Sequence, residues 1–244
     1  MSGGDRICHS GGEVLERLRS VVRVDPSEYV VHVARGLGGP FLVLAGIILS
    51  QNTSDKNSIR ALRRLAREVG TRPEDVLRAG LGRVEEAIRS AGGFRRKARA
   101  IMELARLLVG RGGEEWLLRE DPRLVREELL RIEGIGPKTV DVFMAFMGRE
   151  RVFPVDTHAR RIAYRWGLIP SPGVSYERVS RALAEFFEGY DYEEAHKLLI
   201  AFGRAYCTAR RPRCGECPLR ECCPYARGLL PRRSRGGRRG LGRS

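Results

Sequence analysis

Apolar residues recur at every third or fourth position through nearly the whole chain. No stretch alternates with the period of two that a half-buried strand needs. The segment "GGEVLERLRSVVRV" (11–24) sets apolar side chains at 14, 15, 18, 21 and 22, one face of a helix. "GPFLVLAGIILS" (39–50) is apolar almost all round, so it belongs at the centre of a core. "SDKNSIRALRRLAREVG" (54–70) has a cap at Ser54 or Asp55, apolar positions at 59, 62, 65, 66 and 69, and a glycine stop. Two short helices end at Gly80 and Gly92, and a longer amphipathic one runs over 95–113. Further helices are expected over 121–132, 137–148, 156–167, 175–187 and 191–207, the first of them opened by Asp121 and Pro122 at Ncap and N1. About ten helices joined by short Gly/Pro turns predict an all-α protein.

The chain has 244 residues, enough for one large or two modest domains. Its net charge of +15 points to a polyanionic partner, most simply nucleic acid, although an arginine-biased composition would give the same excess. The segment 226–244 contributes seven arginines and no acid, too polar to pack, and suited to binding phosphates without sequence preference. The longest apolar run, Phe41 to Leu49, is too short for a bilayer, and the Gly-rich start has no apolar leader core. No membrane association and an intracellular location are therefore expected. Of six cysteines, Cys8 stands alone and five fall within 207–223, which favours a metal site in a reducing compartment over disulfides.

"IEGIGPKTVDVF" (132–143) is the most informative stretch. Gly134 and Gly136 in so tight a turn permit positive φ and close approach of another backbone, and Ile135 between them reads as a buried peg. The amides of the following helix start, with the turn, would seat a phosphate. Of 45 basic residues 41 are arginine, yet position 138 holds a lysine. A lysine can lose its proton and attack carbon; an arginine cannot.

With "PVDTHARRIA" following, this segment resembles the helix-hairpin-helix of the endonuclease III superfamily of DNA glycosylases. That family usually has proline where this chain has Glu133, an acid that would weaken a phosphate seat. The resemblance covers about residue 30 to Cys223. It implies that Lys138 is the nucleophile of a bifunctional glycosylase and AP lyase, and that Asp156 is the catalytic carboxylate. From the residues alone, Asp156 also reads as the Ncap of its helix, a compatible role that keeps the carboxylate ionised. A free lysine is only about 0.04% neutral at pH 7, so the expected chemistry needs the helix N-terminus and burial under DNA to favour the neutral amine. His158 reads as a structural or DNA-backbone residue rather than a base.

"CTARRPRCGECPLRECC" places Cys207, Cys214, Cys217 and Cys223 at spacing C-x6-C-x2-C-x5-C, with Cys222 as a bystander that could compete. Four thiolates in one short loop could take zinc or an iron–sulfur cluster. The resemblance selects a [4Fe–4S] cluster. Arg210, Arg211 and Arg213 form a basic loop between the first two ligands, aimed at phosphates. By the same resemblance "LSQNTSD" (49–55) supplies the amide inserted where a base is flipped out, Asn52 first and Gln51 beside it. Thr139, Gly134, Gly136 and His158 complete the expected DNA contacts. Relatives often carry a leucine wedge near "SAGGFRRKA" (90–98), where this chain has Gly93 and Phe94.

The implied fold is two all-α lobes: a six-helix lobe over 38–150, holding the hairpin at about 124–148, and a cluster lobe of 11–37 with 151–226. Residues 1–10 and 227–244 are expected to be disordered. The implied function is removal of damaged pyrimidines from double-stranded DNA by a monomer that also acts at abasic sites. Mismatched thymine or uracil, 5-methylcytosine, and a non-catalytic DNA-binding scaffold are the alternatives.

Overall fold

The structure, a computed structural model, describes residues 7 and 9–230. Among them no strand occurs. In chain order the helices are α1 (Gly11–Val21), α2 (Val30–Leu37), α3 (Pro40–Ser50), α4 (Asp55–Glu68), α5 (Pro73–Ala87) and α6 (Phe94–Gly110). Then come α7 (Trp116–Arg119), α8 (Pro122–Leu130), α9 (Pro137–Phe146), α10 (Thr157–Arg165), α11 (Tyr176–Phe186) and α12 (Tyr192–Ala205). The expected pair of short helices over 72–92 forms one element, α5, broken where sequence placed the stop: Gly80 has φ 77° inside it. Helices α2 and α7 were not legible in the pattern. One is eight residues rich in β-branched side chains and the other a single turn, both too short for a periodicity to show.

Two compact units result, one of residues 24–154 and one joining 1–23 with 155–244. The first boundary therefore falls at 23/24 and not at 37/38. The reason is packing: Val30, Val31 and Ala34 of α2 are buried in the same core as α3. At Gly46 of α3 an added Cβ would stand 3.3 Å from Val30 Cγ2 and 3.4 Å from Ala34 Cβ, so the glycine lets the two helices close together. Phe41 to Ile48 with Leu49 make α3 the buried axis of this unit. Truncating Leu44 to alanine there would cost about 2–5 kcal/mol.

The other unit packs α1, α10, α11 and α12 around Trp166, whose ring lies 5.9 Å from Phe186 and 6.2 Å from Phe202. The expectation of disorder over 1–10 fails at two described positions. Ile7 is buried, its N–H donating to Trp166 O at 2.8 Å, and Ser10 caps α1 in a capping box with Glu13. Residues 1–6, 8 and 231–244 lie outside the described residues.

Candidate active site

The hairpin is built as the glycines require, though only one of them uses its conformational freedom. Gly134 has φ 94°, in the left-handed region, whereas Gly136 has φ −106° and is the Ncap of α9. An added Cβ at Gly136 would find nothing within 4 Å. The fold leaves that space open, as a turn that receives another molecule's backbone would. Ile135 is the buried peg, 4% exposed. Arg126 on α8 clamps the pair, donating to Asp141 of α9 at 2.6 Å and to Glu150 beyond it.

Lys138 occupies the first turn of α9, exposed, with no hydrogen bond or ion pair for its ammonium among the described residues. Among the described residues its own amide and that of Gly136 likewise lack a partner, while those of Thr139 and Val140 bond Gly136 O. An amine thus stands beside two unsatisfied N–H groups at a helix N-terminus, a setting that attracts anions. Glu133, the acid in the usual proline's place, is exposed. It shares a cleft of about 660 Å³ with Arg96, Arg99 and Arg131, so cations surround it.

Two expected DNA contacts are otherwise engaged. Thr139 is buried, and its hydroxyl accepts from Gln51 Nε2 at 2.9 Å. Gln51 also donates to Gly134 O at 2.9 Å, so its amide ties the 50–53 turn to the hairpin and is not held out for insertion. Asn52 is exposed and, at φ 50°, is the one non-glycine residue with positive φ among the described residues. Gly93 sits at φ 68° as the Ncap of α6, a conformation leucine resists. Phe94 is half-buried and packs against the core.

Sequence reading passed over the residue behind this turn. Lys97 of α6 is 3% exposed, and its ammonium donates to Leu49 O at 2.9 Å, Gln51 O at 2.7 Å and Thr53 Oγ1 at 2.6 Å. Burial, with Arg96 adding to it, pushes its pKa down to about 8. Its signal in the sequence was the same rarity of lysine that singled out Lys138.

In the other unit Asp156 caps α10 as expected, Oδ1 accepting from Ala159 N at 2.7 Å, and is half-buried. His158 is tied inward: Arg161 Nη2 donates to its Nδ1 at 3.0 Å, and burial lowers its pKa, so the ring is neutral near pH 7. A Cβ on Gly203 of α12 would meet that nitrogen at 2.4 Å, so the glycine admits the ring.

Cys207, Cys214, Cys217 and Cys223 are free thiols, and each of the other three raises the pKa of Cys217. Burial pushes Cys217 up to about 12 and Cys223 up to about 11. Such a set, all sulfur and costly to ionise without a compensating positive charge, fits a group that brings its own iron. Among the described residues no three His, Cys, Asp or Glu side chains come together as they would to grip a single metal ion. Cys222 and Cys223 are both buried. Cys8 lies outside the described residues.

The loop is clasped from α10. The buried guanidinium of Arg165 donates to Cys207 Sγ at 3.1 Å, Thr208 O at 2.8 Å and Ala209 O at 3.2 Å. Arg161 Nε donates to Cys207 O at 2.8 Å. These two arginines were read only as part of a helix. Arg210 and Arg211 are exposed, whereas Arg213 is paired with Glu216.

An all-helical chain with a glycine hairpin, a lysine at its mouth and a four-cysteine loop defines a class. Residues 45–198 match the HhH-GPD superfamily base excision DNA repair protein model. Endonuclease III of Sulfolobus acidocaldarius is 34% identical over 211 residues, covering 86% of this chain and 93% of its own. That of Bacillus subtilis is 33% identical over 184 residues, 75% of this chain and 80% of its own. A solved structure of a trapped endonuclease III–DNA covalent intermediate shares the fold at TM-score 0.68 and 25% identity, covering 91% of this chain and 100% of that one. The chain belongs to the endonuclease III family. No described helix is long and apolar enough to cross a membrane.

Proposed function

We propose that this base excision repair protein is a DNA glycosylase with coupled AP lyase activity, acting on damaged pyrimidines through Lys138. The observation that carries it is the lone amine at the start of α9, exposed and unpaired beside the open space at Gly136. The neutral amine attacks C1′ of the flipped nucleotide while the N-glycosidic bond breaks, and the base leaves with the bonding pair. Loss of a proton from nitrogen and ring opening give a Schiff base, whose 2′ proton is acidic enough for β-elimination of the 3′ phosphate. Asp156 is the carboxylate that accepts the amine's proton and stabilises positive charge on the sugar; its cap bond to Ala159 keeps it oriented. The existence of a trapped covalent intermediate for endonuclease III with DNA supports the reading.

Asn52 fills the gap left by the base, the hairpin amides of Gly136 and Lys138 seat a backbone phosphate, and Arg210 and Arg211 meet phosphates further along. Cys207, Cys214, Cys217 and Cys223 would hold a [4Fe–4S] cluster, which when bound would organise the loop carrying those arginines. The protein works intracellularly as a monomer. Borohydride reduction in the presence of a duplex carrying an abasic site tests the central step. Wild type is expected to give a covalent adduct that Lys138→Ala and Lys138→Arg both lose. An adduct that persists in Lys138→Arg overturns the assignment.

A further inference from the structure

We infer that Lys97 is a positioning residue for base extrusion, its buried ammonium setting the turn from which Asn52 projects. The inference rests on the reading of Asn52 as the inserted side chain. Three acceptors from α3 and the turn converge on one nitrogen: Leu49 O, Gln51 O and Thr53 Oγ1, all within 2.9 Å. An ammonium has three donors on one compact centre and matches them one for one. A planar guanidinium spreads five donors over a wide fork and does not. In a chain that uses arginine almost everywhere, this geometry demands lysine.

The residues on either side of Asn52 are thereby fixed while Asn52 itself is exposed. Gln51 is held at both ends, its carbonyl on Lys97 and its amide on Gly134 O and Thr139 Oγ1 of the hairpin. Thr53 is held by Lys97 and also donates to Gln51 O at 3.2 Å. A part-buried network with every member bonded carries the register of the hairpin to the turn. Asn52 is left in the left-handed region, which asparagine tolerates better than most residues, between two neighbours that are both held. Without the ammonium, the Leu49 and Gln51 carbonyls and the Thr53 hydroxyl each lose a donor, and the turn that presents Asn52 loosens.

The test is a double-mutant cycle of Lys97→Met and Asn52→Ala, read as single-turnover base release from a lesion-bearing duplex. Alone, Lys97→Met should slow release by roughly 10- to 100-fold, the effect of misplacing a group by about an ångström. In the Asn52→Ala background it should slow release by less than about twofold, because the two act as one unit. Lys97→Arg should not rescue. Equal losses in both backgrounds, or full activity of Lys97→Arg, overturn the inference. Amide exchange measured by NMR gives an independent reading: the amides of Gln51 and Thr53 should exchange about tenfold or more faster in Lys97→Met. Unchanged exchange overturns the inference whatever the enzyme does. If Lys97→Met does not fold, Thr53→Val, which removes one of the three acceptors, replaces it in both measurements. Borohydride trapping by wild type depends on Lys138, not on this cycle, so its absence sinks the function reading and leaves the exchange test standing.

Discussion

The two hairpin glycines should respond to alanine in opposite ways. At Gly134, φ 94° puts any side chain in the left-handed region, and the new Cβ would stand 3.4 Å from Ala100 Cβ. The strain is of order 1–3 kcal/mol. It would also disturb the carbonyl that receives Gln51, so Gly134→Ala should lower stability and activity together. At Gly136 the backbone is ordinary, φ −106° and ψ 175°, and the new Cβ meets nothing within 4 Å. Alanine there loses a little Ncap preference and gains a little from a stiffer unfolded chain, each below about 1 kcal/mol and opposite in sign. Stability should therefore change by less than about 0.5 kcal/mol.

Binding should not be spared. If a phosphate rests on the amides of Gly136 and Lys138, a methyl group in that space holds it off, weakening charge-assisted bonds of about 1.5–3 kcal/mol each. The expected loss is roughly 10- to 100-fold in Kd for a duplex with an abasic-site analogue, and the slope of log K against log salt should fall by about one contact's worth. Fluorescence anisotropy over a salt series, with urea unfolding beside it, measures both quantities. Undiminished affinity in Gly136→Ala, or a destabilisation equal to that of Gly134→Ala, refutes the phosphate seat.

Two further outcomes are expected. Asp156→Asn keeps the oxygen that caps α10, so unfolding should shift by less than about 1 kcal/mol while base release falls by about 100-fold or more; a mild loss of rate would deny the carboxylate its role. Cys223→Ser should lose bound iron and its visible absorption, whereas Cys222→Ser should keep both, and the reverse pattern would reassign the fourth ligand.

The all-α class, ten of the helices and the hairpin were legible in the sequence because periodicity, caps and glycine stops are local properties of the chain. So was Asp156 as a cap, since Asp followed by an amphipathic run offers its carboxylate to the third amide on. Lys138 could be singled out because it broke the arginine habit at a helix start. What local pattern could not supply was partnership across the fold. That Thr139 is buried under Gln51, that Lys97 gathers three acceptors separated from it by more than forty residues, and that Arg165 reaches Cys207 Sγ all depend on which helices pack together. Tertiary structure also decided that Gly136 needs no special backbone and has open space where a side chain would stand. Conformational preference acts between neighbours in the chain, whereas burial and hydrogen bonding act between neighbours in space, and only the folded chain specifies the second set.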